Sequence, residues 1–182
     1  MKQLAENVLD IAENSVRAEA KHIKILLSEN TDDKTLRITI EDDGCGMSAE
    51  VAQSVMDPFY TTRITRKVGL GVPFFKMEAE MTGGSLELES KIGDGTKISA
   101  IFHTDHLDCI PLGDMSQTIM ALIGGSPNIE FLFCHTFEPK KDAEIVVDTA
   151  QLREMLGEDV PLDTPEVLLW IRDYVLEMYA AL

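Results

Sequence analysis

The stretch 42-DDGCGM-47 places two acids and two glycines directly after the alternating apolar run 35-TLRITIE-41. A carboxylate at the end of a strand lies where layered folds tend to bind ligands, and glycines let the backbone approach a flat ligand closely. A fixed carboxylate can accept a hydrogen bond from an amino group such as N6 of adenine. Asp42, with Gly44 and Gly46, is therefore a candidate ligand site, and a glycine-rich turn is the structural alternative.

A second candidate pair lies near the N-terminus. Asp10 and Asn14 are four residues apart in a segment with the periodicity of a helix, so they project from the same side of it. An exposed polar helix face would give the same pattern. The pair gains meaning only from the other motifs of the chain.

The third candidate stretch is 57-DPFYTTRITRKVGLGVPF-74, which collects hydroxyl and basic side chains before Gly69-Leu70-Gly71 and a predicted helix start. Glycines that lead into a helix N-terminus present free N–H groups and a favourable dipole to an anion, and basic residues add charge. This is the outline of a phosphate site. It is not a Walker loop, and it does not match the dinucleotide pattern GxGxxG after a strand.

Together and in this order, these stretches resemble the GHKL superfamily of ATP-binding domains, which includes histidine kinases, anti-sigma serine kinases, type II topoisomerases and mismatch-repair ATPases. The resemblance covers about residues 3–103. The stretch 9-LDIAENSVRA-18 resembles the N box, 42-DDGCGM-47 the first glycine box and 57-DPFYTTR-63 the F box. The stretch 69-GLGVPFFKMEAEMTGGSLELES-90 resembles the second glycine box with its helix and strand, and 93-GDGTKISAIF-102 resembles the closing GxGT strand.

The resemblance implies ATP and Mg²⁺ as ligands. It implies that Asn14 coordinates Mg²⁺, that Asp42 binds the adenine amino group and that Thr96 supports the adenine end. It further implies two groups of ATP-binding residues. The residues near the adenine base are Gly44, Gly46 and Met47. The residues near the phosphates belong to a lid over residues 61–68 or flank it, and they are Arg63, Arg66, Lys67, Gly69, Leu70 and Gly71.

Asp10 occupies the position where members that hydrolyse ATP or phosphorylate serine carry a general-base glutamate. Water and serine must lose a proton, whereas a neutral imidazole is already nucleophilic, so a carboxylate here favours a hydroxyl acceptor. Asp is one methylene shorter than Glu, and Lys67 stands where a lid glycine is common. The resemblance therefore implies a kinase that acts in trans on a separate protein, or an ATPase. A nucleotide-gated interaction module without turnover is the alternative.

The elements that must position these residues follow from periodicity and turn signals. We expect a helix, a hairpin, a short helix capped by Ser48, a helix starting near Gly71, and a second hairpin. This order predicts an α+β fold, the two-layer α/β sandwich of the histidine-kinase-like (Bergerat) ATPases. We expect an ATP-binding domain over residues 1–104 and an acidic α/β extension over 105–182, with elements at 114–123, 129–137, 143–148, 149–156 and 164–181.

Composition excludes several functions. The net charge is −16, with 15 acidic and 4 basic residues after position 104, so we expect no nucleic-acid partner. The acidic part is either a solvated face or a docking surface for a basic partner, and the kinase hypothesis adds a substrate or regulatory protein as partner. No apolar run could span a membrane, which predicts a cytoplasmic protein, and no phosphoacceptor-like helix or two-helix dimerisation segment is visible, which predicts a stand-alone domain. The sequence leaves open whether the chain forms a homodimer.

Two further features carry weaker hypotheses. The segment 103-HTDHLDC-109 groups metal-ligand residue types without a recognised spacing, so a metal site at His103, Asp105 and His106 is left open beside a polar linker. Cys45, Cys109 and Cys134 are widely spaced and are interpreted as reduced thiols. The apolar final helix is expected to pack on the extension.

Overall fold

The computed structural model describes residues 3–56, 71–140, 143–157 and 160–182. Along the chain the elements are α1 Leu4–Arg17, β1 His22–Asn30, β2 Thr35–Asp42, α2 Ala49–Val55, α3 Gly71–Met81, β3 Ser85–Lys91, β4 Gly95–His103, α4 Met115–Gly125, β5 Glu130–Glu138, β6 Glu144–Asp148, α5 Thr149–Leu156 and α6 Pro165–Ala180. Their types agree with the sequence predictions, and their ends differ by one or two residues. The predicted cap is confirmed, because Ser48 Oγ accepts a hydrogen bond from the Val51 N–H.

All six strands form a single mixed sheet in the order β3-β4-β2-β1-β5-β6. The neighbours pair antiparallel except β1 and β5, which are parallel and aligned from His22 with Glu130 to Asn30 with Glu138. The strands of the C-terminal extension therefore continue the sheet of the first 104 residues. The predicted α+β fold, a sheet covered by helices, is confirmed.

One face of the sheet carries the core. Period-two alternation in β2 buries Leu36, Ile38 and Ile40 and leaves Arg37 exposed, as expected of a sheet with one covered face. Helix α1 turns its stripe of Leu4, Val8, Ile11 and Ser15 inward, and it packs against α3 and α4. The apolar face of α1 therefore determines which of its polar residues remain accessible.

The extension is tied to the start of α1. The Leu4 and Ala5 N–H groups, which have no partner inside the helix, donate to the carbonyls of Pro111 (3.0 Å) and Leu112 (2.8 Å). Thr118 Oγ1 on α4 donates to the Ala5 carbonyl at 3.1 Å. Helix α4 in turn packs against α6, where Ile171 and Val175 are fully buried, and this confirms that the final helix packs on the extension.

Candidate functional site

Asp42 lies at the end of β2 and faces the helices. Its side chain is held from two sides: Ser15 Oγ on α1 donates to Oδ2 at 2.5 Å, and the Gly44 N–H donates to Oδ1 at 2.9 Å. The residue is 9 % exposed, so these bonds fix its orientation in a desolvated setting. Because an ionised carboxylate has about four acceptor positions, it can still accept from a ligand amino group.

The glycines that follow Asp42 are required by the packing of the chain on itself. A Cβ at Gly44 would lie 2.8 Å from the Ala18 carbonyl oxygen and 3.0 Å from Asp42 Oδ1. Gly46 has φ +62°, and a Cβ there would lie 1.9 Å from the Lys91 carbonyl oxygen. The loop after Asp42 is thus packed closely against α1 on one side and the β3–β4 hairpin on the other.

A pair of hydroxyl groups lies in that hairpin, next to Asp42. Thr96 is the register partner of Asp42 on β4, and its Oγ1 lies 2.9 Å from Ser90 Oγ. The same Ser90 hydroxyl accepts from the Met47 N–H at 2.8 Å. Ser90 therefore links Met47 to Thr96, beside the end of β2 that carries Asp42.

Helix α1 presents Asp10 and Asn14 beside this region. Asn14 is half-buried, and its Oδ1 accepts from Arg17 Nη1 at 3.0 Å. Asp10 is exposed and lies against the start of α3, where a Cβ on Gly71 would come within 3.3 Å of Asp10 Cβ. A carboxylate and an amide oxygen thus lie on one helix, next to a helix N-terminus with its partial positive charge.

Five predicted phosphate-site residues cannot be compared with the structure. Arg63, Arg66, Lys67, Gly69 and Leu70, together with the proposed lid over residues 61–68, lie outside the described residues. Their roles remain predictions from the sequence.

Sequence reasoning missed two polar residues that hold the site. Neither Ser15 nor Ser90 is among the candidate residues that the sequence suggests. The available signal for Ser15 was a lone hydroxyl on an otherwise aliphatic stripe, since a buried polar group needs a partner. Ser90 carried no comparable signal.

An exposed ion-pair cluster supports the outer side of the same turn. Asp43 Oδ1 accepts from the Lys21 and His22 N–H groups at 2.7 and 2.9 Å, and His22 Nδ1 lies 2.6 Å from Asp43 Oδ2. His22 Nε2 is 3.1 Å from Glu130 Oε2 on β5. Partial desolvation acts to raise the pKa of Asp43, but the hydrogen bonds from His22 and Lys21 outweigh it and lower that pKa to about 2. The hydrogen bond to Asp43 raises the pKa of His22.

A cavity of about 620 Å³ lies around the end of β2, where Asp42 and Thr96 line it together with charged residues from the uncovered face of the sheet. Lys24 lies 3.0 Å from Glu41, and Lys91 pairs with Asp94. The lining holds five acidic side chains and three lysines, so this cavity offers no surplus of positive charge to a phosphate. We therefore assign the candidate site to the helix-covered side of this end of the sheet, where Asp42 meets Ser15 of α1.

The hypothesis of a metal site around His103 gains no support. In the described part of the chain, no group of three His, Cys, Asp or Glu residues is arranged to hold a metal ion. His106 instead accepts a hydrogen bond from the Asp108 N–H at 3.2 Å, in a turn after β4.

No helix among the described residues is long and apolar enough to cross a membrane.

Sequence comparison places this site in a family. Residues 1–106 match the family model described as histidine kinase-, DNA gyrase B-, and HSP90-like ATPase. The chain is similar to the probable C4-dicarboxylate sensor kinase of Bacillus subtilis (strain 168), with 35% identity over 99 residues, which is 54% of this chain and 18% of that protein. It is also similar to sensor protein SrrB of Staphylococcus aureus (strain NCTC 8325 / PS 47), with 35% identity over 101 residues, covering 53% and 17% of the two chains. The chain thus matches less than a fifth of the length of these relatives.

Structure comparison supports the same fold. A crystal structure of the N-terminal domain of a DNA repair protein matches with a TM-score of 0.51 and 14% identity, covering 81% of this chain and 52% of that one. At this identity the match bears on the fold alone. The family match covers more than half of the chain and includes the helix and strands that hold Asp42. The chain therefore belongs to the family of histidine kinase-, DNA gyrase B- and HSP90-like ATPases, whose domain binds ATP.

Proposed function

We propose that the chain binds Mg-ATP between α1 and the Asp42 end of the sheet and transfers the γ-phosphoryl group in trans, to a separate protein or to water. The observation that carries this proposal is the orientation of Asp42 by Ser15 and Gly44. A buried carboxylate with both oxygens already hydrogen-bonded and acceptor capacity remaining suits an adenine amino group. We also retain, as part of the proposal, the division into an ATP-binding part over residues 1–104 and an extension over 105–182.

The donor set of α1 fits Mg²⁺. Mg²⁺ takes oxygen ligands and keeps several waters, so the amide oxygen of Asn14, which is half-buried, is a suitable protein ligand. That oxygen accepts a hydrogen bond from Arg17 Nη1 and retains a second lone pair. When bound, the ion would neutralise phosphate charge, which is the main demand of phosphoryl transfer.

Asp10 is the candidate base. In transfer to a hydroxyl group, a bond forms between the acceptor oxygen and the γ-phosphorus, the bond to the β-phosphate oxygen breaks, and ADP leaves. The acceptor proton would pass to the Asp10 carboxylate, which is exposed and lies beside the start of α3. Arg63, Arg66 and Lys67 are proposed to neutralise the phosphates from the lid.

The test follows the γ-phosphate. The protein is incubated with γ-labelled ATP and Mg²⁺, with and without lysate, beside the variants Asn14→Ala and Asp42→Asn. Glu41→Gln is the matched control, because it removes a carboxylate from the opposite face of the same strand. Label on a lysate protein supports a kinase and released phosphate supports an ATPase, provided that Asn14→Ala abolishes both. Unchanged ATP affinity in Asp42→Asn would overturn the site assignment.

A second function, a nucleotide-gated interaction module without turnover, is favoured by one observation. Helix α1 carries Asp10 and Asn14, and its first residues bond to Pro111, Leu112 and Thr118 of the extension. Nucleotide binding could therefore change the extension through a single rigid helix. ATP binding without turnover, together with altered hydrogen exchange over residues 111–118, would favour this function over phosphoryl transfer.

A further inference from the structure

The sheet ends at β6, and the backbone of this strand is available for pairing. Among the described elements, β6 has β5 on one side and no strand on the other. The Phe137 N–H donates to the Ala143 carbonyl, and the register then pairs His135 with Ile145 and Phe133 with Val147. Because such pairs alternate in an antiparallel ladder, the N–H and C=O groups of Glu144 and Val146 point away from β5.

An apolar groove runs beside this free edge. It has a volume of about 320 Å³ and lies between β6, α5 and α6. Two large apolar side chains beside the groove are in contact with solvent, since Met155 is 72% exposed and Trp170 is 54% exposed. The rings of Trp170 and Tyr174 stack with centroids 5.7 Å apart and an interplanar angle of 13°. We call this feature the β6 groove, lined by Val146, Val147, Asp148, Gln151, Leu152, Met155, Trp170, Ile171 and Tyr174.

The rim of the β6 groove is acidic. Asp148 lines it, and Glu166 lies one helical turn before Trp170 on α6. Glu144 lies at the same edge and projects from the face of β6 opposite to the buried Ile145 and Val147. The described residues of 143–157 and 160–182 include seven acidic side chains and two arginines. Both arginines are engaged: Arg153 bonds to the Pro127 and Ile129 carbonyls, and Arg172 pairs with Asp173 at 2.7 Å. The negative charge around the groove is therefore not compensated by these arginines.

We propose that the β6 groove is a docking site for an extended segment of a partner protein, in which basic side chains alternate with apolar ones. The segment adds to the sheet as a strand beside β6, with backbone hydrogen bonds to Glu144 and Val146. Its apolar side chains pack on Met155 and the Trp170–Tyr174 pair. Its basic side chains point to the opposite side of the added strand, where Glu144 lies, and the other rim carboxylates add to the attraction.

Charge argues for a basic partner over a second copy of this chain. Two copies that met at the β6 groove would bring two acidic rims together without free arginines from the same elements, and like charges in contact are unfavourable. The alternation follows from geometry, because successive side chains of an added strand point to opposite sides. The proposal is independent of the ATP site and of any turnover.

The chain provides its own reporter, since Trp170 is its one tryptophan. We would titrate the protein with a capped seven-residue peptide that alternates lysine and valine, and follow tryptophan emission. We expect a blue shift and binding in the micromolar range that weakens as salt rises. A peptide with glutamate for lysine tests charge, and one with a central proline tests strand addition. Each is expected to bind at least tenfold more weakly.

Variants of the protein complete the test. Val146→Pro removes the backbone N–H that points away from β5, and edge strands tolerate proline at such a position. Val146→Thr keeps that N–H and is the matched control. The charge variant, Glu144→Lys with Glu166→Lys, changes exposed side chains only and remains informative if the proline variant does not fold. The proposal is supported if the lysine–valine peptide binds at least tenfold more weakly to Val146→Pro and to the charge variant, and binds to Val146→Thr as it does to wild type. Equal binding of the acidic peptide would overturn it, as would a blue shift that appears without peptide as the protein dimerises in sedimentation experiments.

Discussion

Ser15 Oγ donates a hydrogen bond of 2.5 Å to Asp42 Oδ2, and this contact joins α1 to the end of β2 across 27 positions of sequence. Ser15 lies one residue after Asn14, the proposed Mg²⁺ ligand. The bond therefore couples the position of Asp42, the carboxylate proposed to bind adenine, to the helix that carries the proposed metal ligand and base. Both partners are buried, at 4% and 9% exposure.

Ser15→Ala should weaken ATP binding while leaving the fold intact. The change deletes one hydrogen bond to a buried carboxylate, worth about 1.5 to 3 kcal/mol, so we expect a loss of affinity of roughly tenfold or more. Isothermal titration calorimetry of wild type, Ser15→Ala, Asp42→Asn and the double variant measures the coupling. If Ser15→Ala is equally costly in the Asp42→Asn background, Ser15 does not act through Asp42.

Gly46→Ala should be far more destabilising than Gly93→Ala. Both glycines have positive φ, +62° and +83°, so both substitutions carry backbone strain. At Gly46 the new Cβ would also lie 1.9 Å from the Lys91 carbonyl oxygen, whereas at Gly93 nothing lies within 4 Å. We expect about 1 kcal/mol of destabilisation for Gly93→Ala and several times that for Gly46→Ala, measured by urea unfolding. Equal losses would mean that the β3–β4 hairpin moves away from the loop freely.

His135 should make the fold sensitive to mild acid. It is fully buried on β5, its Nδ1 lies 2.8 Å from the Tyr179 hydroxyl, and its Nε2 lacks a hydrogen-bond partner among the described residues. Burial lowers the pKa of His135 to about 4. Below its unfolded pKa of 6.5, the unfolded chain takes up a proton that the folded chain does not, so stability falls with pH until about pH 4.

The size of this effect can be isolated with a variant. The shift corresponds to about 3 kcal/mol between pH 7 and pH 4, on top of the titration of carboxylates. Glu29 Oε2, 3.8 Å from Nε2, would offset part of it by stabilising the imidazolium. Urea unfolding of wild type and His135→Gln at pH 7 and pH 4 gives the part of the change in unfolding free energy that is due to His135. The same pH slope in the variant would show that His135 does not titrate as its burial implies.

His22 should show the opposite dependence. Its folded pKa is raised by the hydrogen bond to Asp43, so its stabilising contribution is complete below pH 6.5 and is lost as pH rises through the folded pKa. Both partners are about half exposed, so solvent screens the pair and the effect on stability is small. NMR titration of the ring should give a pKa above 6.5 that falls in Glu130→Gln and falls further in Asp43→Asn. An unchanged pKa in Asp43→Asn would contradict the pairing.

The types and limits of most elements could be predicted from local patterns. Alternation in 35-TLRITIE-41 and the apolar stripe of α1 depend only on the geometry of a strand and a helix. The same patterns could not predict that β5 pairs parallel with β1, because periodicity indicates that a strand exists and says nothing about its neighbour. The joining of the extension to the sheet of the first 104 residues is decided by that one long-range pairing.

The sequence by itself, through its resemblance to a known family, was enough to select Asp10, Asn14 and Asp42 as candidate site residues within short motifs. Only the tertiary structure decided what holds them. Ser15 meets Asp42, and Ser90 joins Met47 to Thr96, because helix packing and strand register bring distant segments within hydrogen-bond distance. The β6 groove has the same origin: it is formed by β6, α5 and α6, whose proximity is set by packing, and packing leaves no local mark in the sequence.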